Sequence, residues 1–202
     1  MTAQPTYPWE VPSTGNALAL SQVLRAQLPR FETDRLVVRP PDITDFETFL
    51  EIAMSPRAKF MYDEPLAREA AWLDFAQCAA GWLLKGHGLF AIADKADGET
   101  LGFTLICMEY GDREPELGWF VTEAAEGRGI ATEAARPVRT WGIETLKLAS
   151  LVSYMDPANT ASARVAQKLG GQLDAATSAE MVRAFGCPVA VYRHWPGSGA
   201  AA

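Results

Sequence analysis

The chain has 202 residues, 49% of them hydrophobic and 21% charged, with a formal charge of −7 at pH 7 and a pI near 4.9. That length suits one domain, and the acidic surface argues against extended nucleic-acid binding while favouring a cationic substrate at long range. Cys78, Cys107 and Cys187 form no CxxC pattern, and His87 and His194 stand at no metal-ligand spacing, so reduced structural thiols and no metal are expected.

The first fifteen residues carry Pro, Thr and Ser but neither a basic start nor an apolar core, so they do not read as a signal peptide. No apolar run reaches the roughly 20 residues of a membrane span. A cytoplasmic protein without membrane attachment is expected. Residues 1–30 read as a partly flexible extension with a short helix in "NALALSQVLRAQLP", residues 31–196 as the domain, and residues 197–202 as a flexible tail. The extension is free to cover its own domain or a neighbour's, which leaves a homodimer open.

Within the domain, "RLVVRP" reads as a strand stopped by Pro40 and Pro41, and Asp42 as the N-cap of a helix with Phe46, Phe49, Leu50 and Ile52 on one side. "PLAREAAWLDFAQCAAGWLLKG" predicts a longer helix from Pro65 to about Gly86. Three strands follow, in "LFAIADK", "TLGFTLICMEY" and "ELGWFVTE", joined by turn signals "ADGE" and "GDREP" and therefore antiparallel. A helix over 126–146 and the strand "LASLVSYM" form a crossover, so the strands on either side of that helix should be parallel. A helix from about Asn159 to a stop at Gly170 comes next, then two strand-like stretches, "GGQLDA" and "MVRAFGCPVAVYRHW". The fold class expected is α/β, a mixed sheet with helices.

The stretch Glu126-Gly127-Arg128-Gly129-Ile130-Ala131 lies where a helix begins. Free amides and the positive dipole end make such a terminus an anion seat, and glycines let a ligand approach the main chain. Arg128 adds donors; a surface arginine beside a plain turn is the simpler alternative. The stretch is neither a P-loop nor a dinucleotide fingerprint.

Three spaced motifs, "ETDRLVVRP", "GRGIATEAA" and the helix bearing Asn159, Ser162, Lys168, Leu169 and Gly170, resemble those of the GNAT acetyltransferases, nearest the branch of ribosomal-protein N-terminal acetyltransferases. The likeness runs from about Phe31 to Trp195. It implies a GNAT fold with a mostly antiparallel sheet. It also implies acetyl-CoA as co-substrate and an amine acceptor, either a protein N-terminus or a small molecule, attacked directly in a ternary complex. A non-catalytic acyl-CoA-binding module on the same fold is the rival.

By the same resemblance, the main chain of Phe120, Val121 and Thr122 pairs with the pantetheine arm, and Gly127, Arg128, Gly129, Ile130, Ala131 and Thr132 hold the diphosphate. Asn159 contacts the pantetheine, unless it is simply an N-cap, and Ser162 lies near the sulfur. Many relatives carry Gln or Arg where this chain has Glu126, and Tyr where it has Ala166. With that Tyr absent, Ser162 becomes the candidate general acid, with Tyr154 behind it. Alternation places Glu116, Gly118 and Phe120 on one face of their strand and Leu117, Trp119 and Val121 on the other. Glu116 is the candidate general base, or else a rim glutamate in an ion pair. The acceptor pocket is expected from the first two domain helices and the final hairpin, with "KFMYDEP" supplying aromatics beside Asp63 and Glu64. Pro137 removes one main-chain bond and is expected to kink or shorten its helix.

Overall fold

A computed structural model describes residues 7–195. The expected tail at 197–202 and the first six residues of the extension lie outside the described residues. Eight strands form one sheet in the order β1-β2-β3-β4-β5-β6-β8-β7. They are β1 (Phe31–Glu32), β2 (Leu36–Arg39), β3 (Leu89–Asp94), β4 (Thr100–Cys107), β5 (Glu116–Val121), β6 (Leu151–Met155), β7 (Gln172–Leu173) and β8 (Ala190–Trp195). Every neighbouring pair is antiparallel except β5 and β6, which are parallel as the helical crossover requires.

Among the described residues six α-helices flank the sheet: α1 (Gly15–Ala26), α2 (Phe46–Ala53), α3 (Arg68–Leu84), α4 (Ile130–Glu144), α5 (Thr160–Lys168) and α6 (Ala175–Phe185). On one face α2 and α3 pack over Phe103, Leu105 and Cys107. Phe49 anchors this layer, with ring centroids 5.4 Å from Phe75, 5.4 Å from Phe103 and 5.5 Å from Phe120. Truncating such a fully buried ring to Ala costs about 3–5 kcal/mol. On the other face α4 lays Ala134, Ala135 and Val138 against Ile106, Leu117 and Leu151. The helix sits so close that a Cβ on Gly142 would meet Ile106 Cδ1 at 2.6 Å.

Asp42 caps a short 3-10 turn, Ile43–Asp45, that leads into α2, and Asp45 returns a bond to the Asp42 amide at 2.6 Å. Asp45 is buried and paired with Arg39 at 2.8 and 2.9 Å, so the capping turn is tied to β2. The extension lies on its own domain: Glu10 takes two bonds from Arg68, which also covers the Tyr7 ring, and Arg25 pairs with Asp42.

Three expectations change. The longer helix starts at Arg68, not Pro65, because residues after Pro65 stay extended up to Ala67, which has ψ 157°. Pro137 does not shorten α4, which runs past it to Glu144, so one lost main-chain bond is outweighed by the burial of the helix's inner face. The stretch "MVRAF" belongs to α6, not to a strand. Asp174 caps that helix through the Thr177 amide at 2.9 Å, and Gly186 ends it with φ 72°. β7 and β8 are therefore paired across a helix instead of through a hairpin turn.

Candidate active site

β5 and β6 share a single registered pair, Glu116 with Val152, and beyond it a cleft opens between them. Its throat is fixed by side chains. The Ser153 hydroxyl donates to the Leu117 carbonyl at 2.5 Å, so the His194 Nε2–H, 3.0 Å away, donates to Ser153 Oγ. His194 is buried, and that burial, with Arg139 nearby, pushes its pKa down to about 4 and keeps it neutral. The network joins β5, β6 and β8 at the base of the cleft.

The two edges of β5 are unequal. The Thr122 amide donates to the Leu101 carbonyl at 2.9 Å, and antiparallel alternation then turns the peptide groups of Phe120 and Thr122 toward β4. The expected pairing of pantetheine with Phe120 and Thr122 is thus corrected, since their donors are already used. Val121 and Trp119 present their peptide groups to the open cleft. The sequence reading placed Trp119 on a face of its strand but left it out of this pairing, because the open edge follows from the register with β4.

At the end of β5 the chain makes a short 3-10 turn and enters the glycine stretch. Gly127 has φ 69° and Gly129 φ 80°, a left-handed region that costs a non-glycine residue about 1–2 kcal/mol. Gly129 is the N-cap of α4, and the Glu133 amide bonds the Gly129 carbonyl at 3.0 Å. The amides of Ile130, Ala131 and Thr132 precede the first intrahelical donor and face out of the helix end. The Ile130 side chain is in the core and Arg128 is exposed, so the seat is made mainly of backbone.

The charges around this seat are paired. Arg57 binds both Glu126 and, at 3.3 Å, Glu123, which turns the Glu126 carboxylate toward a cation. Glu133 accepts from Thr33 Oγ1 at 2.5 Å and from Arg35 Nε at 2.9 Å, while Arg35 Nη2 donates to the Arg128 carbonyl at 3.1 Å. The opening motif "ETDRL" is therefore a clamp on the first turn of α4, and this ties two distant motifs into one structure.

In the β5–β6 cleft, reaching toward α2 and α3, lies a cavity of about 380 Å³. Phe49, Phe60, Met61 and Tyr62 line it, together with Leu105, Cys107, Glu109, Glu116, Trp119 and Phe120, and β6 and α5 close it with Ser153, Tyr154, Asn159 and Ser162. Asp74 and Cys78 of α3 complete the wall. Among the described residues none of the β7–β8 pair lines it, which corrects the expectation of a final hairpin there. Nor do Asp63 and Glu64, whose place is taken by Asp74 and Glu109, two carboxylates that no local motif signals. Trp72 packs in the core beside Phe75, and Trp82 is buried with its Nε1–H on the Leu89 carbonyl at 2.9 Å, so these aromatics are structural.

Glu116 accepts from the Tyr154 amide at 3.3 Å. Loss of water around it, with Asp112 and Glu109 nearby, pushes its pKa up to about 8 despite that bond. No ion pair of Glu116 occurs among the described residues, so it is not the salt-bridged rim residue of the simpler reading. Asn159 does cap α5, accepting from the Ser162 amide at 3.1 Å, yet both residues also line the cavity. Tyr154 lines it as well, and burial raises its pKa to about 12, so it stays protonated. Ala166 is buried against Met155 and Tyr192 and cannot reach the cleft.

The described residues include two groups with metal-ligand spacing, Asp74 with Cys78 and Glu109, and Cys107 with Asp112 and Glu116. Burial pushes the Cys78 and Cys107 thiols well above the usual range, so both are thiols and weak ligands. No helix among the described residues is long and apolar enough to cross a membrane.

A family model for the acetyltransferase (GNAT) domain matches residues 35–172. An acetyltransferase from Agrobacterium tumefaciens superposes with a TM-score of 0.74 at 36% identity, over 84% of this chain and 95% of that one. The uncharacterized protein YkkB of Bacillus subtilis is 32% identical over 112 residues, 54% of this chain, and the match spans only 62% of YkkB's length. The uncharacterized N-acetyltransferase p20 of Bacillus licheniformis is 27% identical over 69% of this chain and 80% of its own. RimL, the ribosomal L7/L12 α-N-protein acetyltransferase, seen in complex with coenzyme A, shares the fold with a TM-score of 0.65 at 15% identity, over 82% of this chain and 97% of its own. The chain belongs to the GNAT acetyltransferase family.

Proposed function

We propose that the protein is an acetyl-CoA-dependent N-acetyltransferase that acts on a primary amine by direct attack in a ternary complex. The observation that carries this is the meeting of two features at one strand: the backbone seat at the start of α4 and the cavity holding Glu116 on the face of β5. The diphosphate of coenzyme A suits Gly127, Gly129 and the first amides of α4, with Arg128 beside them. The pantetheine arm adds to the open edge of β5 at Trp119 and Val121. An amide of that edge is placed to polarise the thioester carbonyl.

The incoming amine is protonated at neutral pH, since ordinary amine pKa values lie at about 8 to 10.4. Glu116, with its own pKa raised to about 8, is matched to take that proton, directly or through one water. The C–N bond then forms and the C–S bond breaks; the thiolate takes a proton from Ser162 or Tyr154, both of which line the cavity, and that group regains one as the new amide nitrogen sheds its second proton. Asn159 fixes the turn that presents Ser162.

Initial-velocity kinetics with acetyl-CoA and a panel of primary amines, reading free coenzyme A and acetylated amine together, test this. Intersecting line patterns with equal yields of the two products are expected. Parallel lines or an acetylated enzyme would overturn direct attack, and coenzyme A binding without turnover on any amine would favour a non-catalytic acyl-CoA-binding module.

A further inference from the structure

The acceptor cavity holds more carboxyl groups than one attacking amine requires, and this inference rests on the transfer reading above. Asp74, Glu109 and Glu116 line it, and among its described lining residues there is no Lys, Arg or His. Carboxyl oxygens of Asp74 and Glu109 lie within 4.8 Å of each other, and so do those of Asp112 and Glu116. Cys107 links the two pairs, with its Sγ 4.0 Å from Glu109 Oε1 and within 4.8 Å of Glu116. The acids thus form a row from α3 to the mouth of the β5–β6 cleft.

The far end of that row is positioned, not merely acidic. Tyr62 donates its hydroxyl to Asp74 Oδ2 at 2.6 Å, which fixes the carboxylate and leaves Oδ1 turned toward Cys78. Phe49, Phe60 and Tyr62 line the same cavity, and aromatic faces attract a cation. Crowded carboxylates repel one another, and a bound dication relieves that repulsion. Desolvation and the neighbouring acids raise the pKa of Glu109 for the same reason.

We infer that the acceptor is a diamine, or another amine with a second positive charge a few carbons away, whose distal ammonium sits between Asp74 and Glu109 while the reacting nitrogen lies at Glu116. The row of acids matches a short flexible spacer, and the aromatic walls match its methylenes. A protein N-terminus would fit this seat only with a cationic side chain near its first residue.

Calorimetric titration of the coenzyme A-loaded, EDTA-treated protein with putrescine and with butylamine tests the seat independently of turnover. Putrescine should bind at least about tenfold more tightly, and Asp74→Asn and Glu109→Gln should each close most of that gap while coenzyme A affinity, measured alongside, reports intact folding. Equal binding of the two amines, a preference that survives both substitutions, or binding of zinc without binding of putrescine would overturn the proposal. Selective binding of putrescine with no acetyl transfer to it would sink the transfer reading and leave the cation seat standing.

Discussion

Two regions meet at β5 and treat charge in opposite ways. At the start of α4 three acids have cations: Glu126 and Glu123 share Arg57, and Glu133 is held by Arg35. With the acids neutralised, the backbone amides and the helix dipole set the local field, and an anion is favoured. In the cavity on the other side of the strand, Asp74, Glu109 and Glu116 crowd together without a lining cation, and the field favours a positive ligand. On the proposed function, one strand separates a seat for a polyanionic donor from a seat for a cationic acceptor. Each is defined as much by where counter-charges are withheld as by where they are placed.

The largest way to break the contrast is to remove the acid that stands at the boundary. Glu116→Gln should lower kcat by about 10²–10³ and leave coenzyme A affinity nearly intact. In the parent protein the rate should rise with pH through about 8, because the carboxylate form accepts the proton, and the variant should lose that limb. Stability gives an independent check. A glutamate whose pKa climbs from 4.5 unfolded to about 8 folded stabilises the fold at low pH, and that stability is lost as pH rises through this interval. The variant should therefore show a shallower fall in melting temperature over the same range. A pH–rate profile with the limb still present in the variant would assign the base elsewhere.

A smaller effect comes from spoiling the donor seat. Gly129→Val places a β-branched residue at φ 80° and brings side-chain atoms beside the first amides of α4. We expect coenzyme A to bind about tenfold more weakly, read by calorimetry, with circular dichroism confirming the fold. Affinity equal to that of the parent would place the diphosphate elsewhere.

How far each region was legible in the sequence follows from how it is built. The donor seat is local: its glycines, the helix start and the strand before it are contiguous, and the periodicities of 2 and 3.6 residues locate them. Those same periods put Phe120 on the α2–α3 face and Leu117 and Trp119 on the other, as the two core clusters bear out. The clamp from Thr33 and Arg35 onto Glu133 joins positions about a hundred apart, so its parts were visible as motifs while their contact was not. The acceptor cavity is harder still. Asp74 sits in an amphipathic helix and Glu109 follows a strand end, and nothing in their surroundings separates them from ordinary solvated acids. Only tertiary packing brings them within 4.8 Å. The error over α6 has another source: "MVRAFGCPVAVY" has enough β-branched and aromatic residues to mimic a strand, and the Asp174 cap lies upstream of the stretch that drew the reading.

The smallest expected effect tests whether pairing really silences the acid at the donor seat. Glu126 departs from the residues many relatives carry there, and a free carboxylate beside the diphosphate would repel it. Arg57 sits on the exposed 3-10 turn Pro56–Phe60 and takes that carboxylate with Nε at 3.1 Å. Exposed pairs of this kind add little to stability, so Arg57→Ala should leave the melting temperature within about a degree. It should nonetheless weaken coenzyme A binding about threefold at low salt and less at high salt, because the unmasked charge is screened. Adding Glu126→Gln to Arg57→Ala should restore the affinity, since no carboxylate then needs a partner. If the single and double variants bind coenzyme A alike, Arg57 acts on the ligand in its own right, and the neutralised donor seat is not the reason the two sides of β5 differ.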